Sequence, residues 1–324
     1  MAEPKPLPTA ISALDTLRRV LSTESTDAIP DHDVLDQNSL STRIIGRSER
    51  NTIYEFFGTG SVVKLMREPN FKLWHDEWLQ AGNVFSGILK AEIDLLGLPS
   101  AAPSFPSSHN LQDARLALIA LYFTERDQPI ALRNPENDEC LVRPYFGQNA
   151  PPAAPARRSL RDFILYYDQM SLIGIDMESA VREIALGLAV LHYFVRIDAR
   201  GVEFVFGSAH TIEGEPDAEI PRRQTRIWML DFDKTNKIDI ENSDCVGQLV
   251  SAAVDTLPYI PRPGVDSELW RVFSDAYTLF STRFVGEIVH YTNEWWWSHH
   301  CKSPIIASVP GQFLSQLEEA FESR

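Results

Sequence analysis

The chain has 324 residues, 44% of them hydrophobic, which is enough apolar material to bury a core in one domain or in two joined lobes. Its formal net charge of -15 argues against broad, nonspecific binding to nucleic-acid phosphates, although a local basic patch is compatible with it. No apolar run approaches the roughly 18 residues of a membrane span. We therefore expect neither DNA binding nor a membrane association.

The cysteines and the N-terminus indicate the compartment. Cys140, Cys245 and Cys301 are odd in number and far apart in the sequence, which favours neither a disulfide framework nor a C-x-x-C zinc site. The first residues lack the charged and apolar regions of a secretory signal. These features predict a cytoplasmic protein.

The first part of the chain predicts one helix and then strands. Apolar positions between Thr9 and Leu21 share one helical face, and polar residues 22–41 predict a linker, so residues 1–41 form the first segment. Strand-like runs follow at residues 42–45, 52–57 and 61–66, with Gly58-Thr59-Gly60 as a turn. Helical patterns continue around residues 72–96.

The remaining patterns predict a second, more helical part. Apolar runs at residues 115–122 and 140–146 predict buried strands, and the Pro/Ala-rich residues 148–155 predict a connector. Asp176 is placed to cap a helix with a three-four apolar repeat. Further along the chain we predict strands at 202–206 and 227–231 and helices near 246–254, 268–284 and 312–321.

This order predicts an α+β fold with a small sheet-rich lobe (residues 42–147) and a helical lobe (residues 148–324). Four side chains fall in an order that resembles the protein-kinase set of strand Lys, helix Glu, catalytic-loop Asp and D-F-G Asp. They are Lys64, Glu77, Asp198 and Asp231. The resemblance implies a degenerate kinase-like fold in which Lys64 and Glu77 pair across a cleft and face the two aspartates. Taken singly, each residue also fits an exposed strand lysine or a capping aspartate.

The departures from the kinase pattern are as informative as the matches. Residues 46–51 contain no G-x-G-x-x-G phosphate cradle, Glu203 stands in place of the Asn ligand, and Asp233 stands in place of the D-F-G glycine. The cleft would then hold four carboxylates, whose crowding raises the pKa of at least one of them unless a cation is present. Such a site suits a metal, a guanidinium or ammonium group of a substrate, or a general base.

Three other features have a plain structural interpretation beside a functional one. His192 lies on the last turn of the Asp176-capped helix, where we favour packing or capping. The run from Glu294 to Cys301 suggests a metal cluster, but its adjacent histidines converge poorly on one ion and its tryptophans favour a packing edge. Basic clusters fit solvated loop charge or a site for an anionic partner, and include Arg157, Arg158, Arg222 and Arg223.

Several short segments between residues 51 and 233 carry a more specific resemblance. They are Ile53-Tyr54-Glu55-Phe56 with Gly58-Thr59-Gly60, Leu73-Trp74-His75-Asp76, Asn134-Pro135-Glu136-Asn137 with Cys140-Leu141-Val142-Arg143, Asp168-Gln169-Met170, Ile197-Asp198-Ala199 with Val202-Glu203-Phe204-Val205, and Trp228 to Asp233. Together they are similar to a fungal family of uncharacterised kinase-like proteins, sometimes labelled zinc-finger-like, to which the fungal arginine-containing cyclodipeptide synthases of secondary metabolism look related.

That resemblance implies an enzyme that joins arginine to a second amino acid, both supplied as aminoacyl-tRNA, in a diketopiperazine. Activated esters need no ATP, which agrees with the missing phosphate loop, and we assign no cofactor and no metal. Asp198 or Glu203 would take a proton from the attacking amine, and Lys64 would stabilise the oxyanion.

The same resemblance implies the substrate contacts. Asp231 would be a catalytic residue with Asp198, Glu203 and Lys64. Glu77 and Asp233 of the acidic cleft would bind the arginine guanidinium, and the basic clusters would meet tRNA phosphates. Two alternatives stay open. One is a phosphotransferase that uses ATP and Mg on a small molecule or a protein, and the other is a non-catalytic pseudokinase scaffold.

Overall fold

The computed structural model describes residues 7–21, 42–47, 51–56, 61–66, 108–138, 142–152, 159–161, 163–210, 223–242, 244–293 and 304–323. These residues combine helices with two small sheets, so the predicted α+β class is confirmed. The helices are α1 (Ala10–Val20), α2 (Ser108–Tyr122), α3 (Gln128–Arg133), α4 (Tyr167–Ile173), α5 (Met177–Ala189), α6 (Cys245–Asp255), α7 (Ser267–Asn293) and α8 (Pro304–Glu322). The strands are β1 (Thr42–Arg47), β2 (Asn51–Phe56), β3 (Ser61–Met66), β4 (Val142–Tyr145), β5 (Phe163–Tyr166), β6 (Glu203–His210) and β7 (Arg223–Leu230).

The first sheet is an antiparallel meander of β1, β2 and β3. Its three strands agree with the three strand-like runs of the sequence. The register between β1 and β2 shifts between Ile44 and Gly46, which marks a β-bulge. The predicted Gly58-Thr59-Gly60 turn and the helical pattern at residues 72–96 lie outside the described residues.

The second sheet has the strand order β5-β4-β6-β7. Strand β4 pairs parallel to β5 and antiparallel to β6, and β6 forms a long antiparallel hairpin with β7. The predicted lobe boundary lies between residues 147 and 148. Strand β4 precedes this boundary, whereas β5 and β6, with which β4 pairs, follow it. The division into lobes stays a prediction.

Residues 115–122 form part of helix α2, and the buried strand predicted there is wrong. Leu116, Ala117, Leu118 and Ile119 are all buried. A continuous apolar run has the same appearance in a buried strand and in a helix buried on several sides, so periodicity does not distinguish the two. Leucine and alanine are also strong helix formers. Helix α1 packs against this helix and completes its burial.

Helix α5 forms the centre of the core and begins as the sequence predicts. The Asp176 carboxylate accepts a hydrogen bond from the Ser179 backbone N–H at 3.1 Å. Gly187 allows close packing against β7, since a Cβ there would lie 2.8 Å from the sulfur of Met229. Glu183 accepts a hydrogen bond of 2.6 Å from the Ile227 backbone N–H of this edge strand. Helix α5 therefore holds the hairpin through both packing and a charged hydrogen bond.

The hairpin also depends on one glycine. Gly207 lies beneath the indole ring of Trp228, whose Cδ1 and Nε1 atoms would be 2.3 and 2.5 Å from a Cβ at this position. Val205 is the cross-strand partner of Trp228, so the indole crosses diagonally to Gly207.

We expect Gly207→Ala to destabilise the protein by about 1–3 kcal/mol, because the added methyl displaces a half-buried indole ring. The measurement is urea unfolding followed by tryptophan fluorescence. Gly247→Ala is the matched control: it lies in α6 with no atom within 4 Å of the new Cβ, and we expect it to stabilise by about 0.5–1 kcal/mol. Equal stabilities of the two variants would contradict the packing described for Trp228.

Candidate acidic site

A turn of π-helix carries the chain from the core helix α5 to Asp198. The π-helical turn spans Val190–Val195 and ends at Arg196, whose φ is 62°. Ile197 then forms an isolated antiparallel bridge with Lys237, which lies beyond β7. The Asp198 loop is therefore tied to the segment that follows Asp231.

The carboxylate of Asp198 is buried, with 1% of the residue exposed, and four hydrogen bonds satisfy it. Oδ1 accepts from the backbone N–H groups of Arg200 (3.1 Å) and Asn236 (2.9 Å). Oδ2 accepts from the side-chain amides of Asn236 (3.1 Å) and Gln248 (3.2 Å). A carboxylate has about four acceptor positions, so these donors use its capacity.

Arg200 joins this network to helix α6. Its Nε lies 3.8 Å from Oδ2 of Asp198, while its other nitrogens donate to the side chains of Asp255 and Ser251. Because Gln248 also belongs to α6, the helix contributes one donor to the aspartate and two acceptors, Asp255 and Ser251, to the arginine. The contacts favour Asp198 as a residue that positions the loop, while its predicted role as a base stays a prediction.

Backbone strain is concentrated around the same loops. The non-glycine residues with positive φ in the described part of the chain are Arg196, Ala199 and Asp231, at 62°, 56° and 60°. Such conformations are unfavourable for side chains with a Cβ and persist where the surroundings impose them, often at functional sites. Their concentration at the Asp198 and Asp231 loops supports a functional interpretation of this end of the hairpin.

Glu203 lies at the start of β6 in an ion pair with Arg143 of β4. Oε2 of Glu203 accepts from Arg143 Nε at 3.1 Å and from Nη2 at 2.6 Å. The glutamate side chain is 31% exposed and the arginine side chain 13%. Sequence analysis did not assign a site role to Arg143, although Arg143 lies in one of the segments that carry the family resemblance.

Asp231 and Asp233 follow the end of β7 that faces Glu203 across the hairpin. Glu203 pairs with Leu230 across the hairpin, so both aspartates follow directly from the strand end opposite Glu203. Both are half-buried, and each has an interaction partner. The backbone thus places three of the predicted acidic residues at one end of the hairpin, and Asp198 is joined to the same end through Asn236.

The other predicted site residues fall partly or wholly outside the described structure. Lys64 lies on β3 and Arg223 begins β7, and for both only the backbone is described. The Lys64–Glu77 ion pair therefore stays a prediction. Glu77, Arg157, Arg158 and Arg222 lie outside the described residues, as does the run from Glu294 to Cys301.

His192 packs in the core, as we favoured from sequence. Its Nδ1 lies 2.8 Å from the hydroxyl of Tyr277, and the ring makes edge contacts with Tyr277 and Phe313. Complete burial lowers the pKa of His192 from 6.5 to about 3, and the nearby Asp198 only partly offsets this effect. The imidazole is therefore neutral at physiological pH.

We expect Asp198→Asn to destabilise the fold by about 2–4 kcal/mol, because an amide cannot accept from all four donors and leaves Arg200 without its buried counter-charge. Urea unfolding at pH 7 measures this. Asp176→Asn is the control, since asparagine caps a helix as well as aspartate does. A fully stable Asp198→Asn variant would rule out the positioning role.

We also expect His192 to make stability depend on pH. Its pKa is lower in the folded chain, so the contribution is complete above pH 6.5 and is lost as the pH falls towards 3. About 2 kcal/mol of the change between pH 7 and pH 5 should come from this residue. The free energy of unfolding should be measured at pH 7 and at pH 5 in both proteins. The difference between the two pH values should be about 2 kcal/mol smaller in His192→Gln than in the original chain. Identical pH dependence in both proteins would contradict the neutral, buried assignment.

Two concavities lie away from these carboxylates. One, of about 650 Å³, lies between α6 and α8, and the other, of about 430 Å³, lies at the end of α3. In the described part of the chain, no helix combines the length and the apolar character needed to cross a membrane. Among the same residues, no three His, Cys, Asp or Glu side chains are arranged to hold a metal ion.

Comparison with known proteins adds one partial match. The DUF3669 family model, described as a zinc finger protein, matches residues 227–288. No curated protein and no solved structure matches the chain. The matched region contains one cysteine, Cys245, and no histidine, whereas a structural zinc site takes four ligands, mostly Cys and His. The residues of this region therefore do not fit a zinc finger, and the match begins on the strand that leads to Asp231.

Proposed function

We propose that this chain is an arginine-containing cyclodipeptide synthase with a degenerate kinase-like, two-lobed fold. The observation that carries the proposal is that the backbone places Glu203, Asp231 and Asp233 at the same end of the β6–β7 hairpin, beside the anchored Asp198 loop. A cluster of carboxylates without a phosphate-binding glycine loop suits a cationic substrate better than a nucleotide.

The kinase-like part of the proposal is supported by the order of elements around the site. A buried helix leads into the Asp198 loop, a hairpin follows, and Asp231 comes directly after its second strand. The same order relates the catalytic loop to the D-F-G segment in kinases. Lys64 on β3, facing Glu77, would complete the constellation.

The proposed reaction joins two aminoacyl esters without an external energy source. The α-amine of each residue attacks the ester carbonyl of the other, so two C–N bonds form and two C–O bonds to tRNA ribose break. Each nitrogen loses one proton, and each released ribose oxygen gains one. The products are one diketopiperazine and two tRNA molecules, and ATP takes no part.

The surroundings of each residue suggest its role in this reaction. Asp231 and Asp233 would hold the arginine guanidinium through charge-assisted hydrogen bonds, since both residues follow the open end of the hairpin and are partly exposed. Glu203 would take a proton from an attacking amine. Asp198 would fix the loops that carry these groups, and Lys64 would stabilise the oxyanion. The basic clusters at residues 157–158 and 222–223 would contact tRNA phosphates.

The Arg143–Glu203 ion pair also bears on the phosphotransferase alternative. Glu203 occupies the position where kinases carry an Asn ligand for Mg²⁺, and one of its oxygens already accepts twice from a guanidinium. The Arg143 guanidinium is already paired with Glu203 and would repel a metal cation at the same carboxylate. This contact therefore favours the synthase over the phosphotransferase.

We expect the purified protein to convert arginyl-tRNA and a second aminoacyl-tRNA into cyclo(Arg-Xaa), detected by mass spectrometry without ATP. Asp231→Asn should lower kcat/KM for arginyl-tRNA about 10- to 100-fold through the loss of a charged hydrogen bond. Glu178→Gln, which removes an exposed carboxylate in a surface ion pair, should not change it.

Two results would contradict the proposal. One is ATP-dependent phosphate transfer, or Mg-dependent stabilisation by ATP in a thermal shift assay, without any diketopiperazine, which would support the phosphotransferase. The other is the absence of product with any aminoacyl-tRNA pair, together with a retained protein partner in Asp231→Asn, which would support the pseudokinase scaffold.

A further inference from the structure

One face of the second sheet is only partly buried and carries aromatic and charged side chains. Along β4 and β5, fully buried residues alternate with partly buried ones. The partly buried positions include Arg143 and Tyr145 on β4 and Tyr166 on β5, and the register places Tyr145 directly beside Tyr166. Glu203 reaches this face from β6 through its ion pair with Arg143. An acid, a base and two phenol rings thus share one surface.

The tyrosines form an aromatic wall beside the ion pair. The Tyr145 ring meets Tyr166 edge-on, with 5.8 Å between centroids, and meets Tyr259 edge-on at 5.2 Å. Burial raises the pKa of Tyr145 and of Tyr259, so both phenols stay neutral and can donate hydrogen bonds. The wall is rigid because each ring is held by another.

The ion pair leaves part of the glutamate available. Nε and Nη2 of Arg143 both donate to Oε2 of Glu203, whereas Oε1 accepts no hydrogen bond from any residue that the structure describes. The side chain is also 31% exposed. Oε1 can therefore accept from a ligand that lies against the tyrosine wall.

We propose that this face binds the second aminoacyl residue of the reaction and that it selects an aromatic side chain. The inference rests on the proposed function. The α-amine would donate to Oε1 of Glu203, and the side chain would pack against Tyr145 and Tyr166.

Arg143 gives the site its discrimination. A positive charge so close to the carboxylate disfavours any further cation, and an α-amine responds by losing its proton, which leaves the neutral nucleophile that the reaction needs. A guanidinium cannot lose its proton and would be repelled. Arginine is therefore directed to the Asp231 and Asp233 carboxylates, and a neutral residue is directed to the tyrosine wall.

The test supplies the full-length protein with arginyl-tRNA and an equimolar mixture of phenylalanyl-, tryptophanyl-, leucyl- and alanyl-tRNA, and measures the diketopiperazines by mass spectrometry. We expect the aromatic products to exceed cyclo(Arg-Ala) by about tenfold or more. Tyr145→Leu and Tyr166→Leu should each reduce this preference severalfold. Phe321→Ala removes a half-buried ring from a separate cluster with Trp270 and should leave the preference unchanged.

Arg143→Gln gives an independent readout. Without the internal guanidinium, arginine should enter the second position, so cyclo(Arg-Arg) should increase at least severalfold when arginyl-tRNA is supplied alone. The acid limb of the pH–rate profile should also move to higher pH, because the bound amine keeps its proton longer. Arg143→Lys retains the charge and should show neither change.

The outcomes separate this inference from the proposed function. Diketopiperazine formation without any aromatic preference would overturn the inference and leave the synthase assignment standing. If no aminoacyl-tRNA pair gives product, the proposed function fails, and NMR titration with phenylalaninamide and argininamide tests the site directly. Saturable binding of phenylalaninamide that Tyr145→Leu weakens would support the aromatic site, and the absence of binding would overturn it.

Discussion

The arrangement of the site depends on the need to satisfy one buried carboxylate. A carboxylate removed from water costs several kcal/mol unless hydrogen bonds replace its hydration. Asp198 obtains these bonds from its own loop, from Asn236 beyond β7, and from Gln248 of α6. Three segments that are separate in the sequence must therefore come together before the charge is stable. The positions of the hairpin end and of α6 follow from that requirement.

The same requirement divides the four carboxylates into different classes. Asp198 has no acceptor capacity left, and Glu203 has half of its capacity occupied by Arg143. Asp231 and Asp233 lie beyond the strand end, where the chain leaves the sheet. Residues of similar chemistry thus face different surroundings. In the proposed mechanism these surroundings would separate three roles, which are positioning of the loops, proton transfer and cation binding.

The sequence predicts the elements with clear periodicity or caps, including α1, the Asp176-capped α5 and the strands that flank Asp198 and Asp231. The sequence pattern wrongly predicts a strand at residues 115–122, which are helical. A run of buried Leu, Ala and Ile has no polar face, so its hydrophobic periodicity does not distinguish a helix from a strand. Asn236, Gln248 and Arg143 could not be assigned roles in advance. The amide side chains of Asn236 and Gln248 belong to no recognisable sequence motif. The contacts of all three residues also join positions that are 38 to 60 residues apart in the sequence.

The strand order of the second sheet explains why Arg143 takes part in the site at all. Strand β4 pairs with both β5 and β6, so a side chain from β4 lies within reach of one from β6 on the shared face. An arginine placed on an outer strand such as β5 would have β4 between itself and Glu203. The central position of β4 brings the permanent positive charge of Arg143 to Glu203. In the proposed mechanism, the substrate cation would then bind the aspartates that follow β7. The selection between a cationic and a neutral substrate side chain would then arise from sheet topology, which no short sequence motif records.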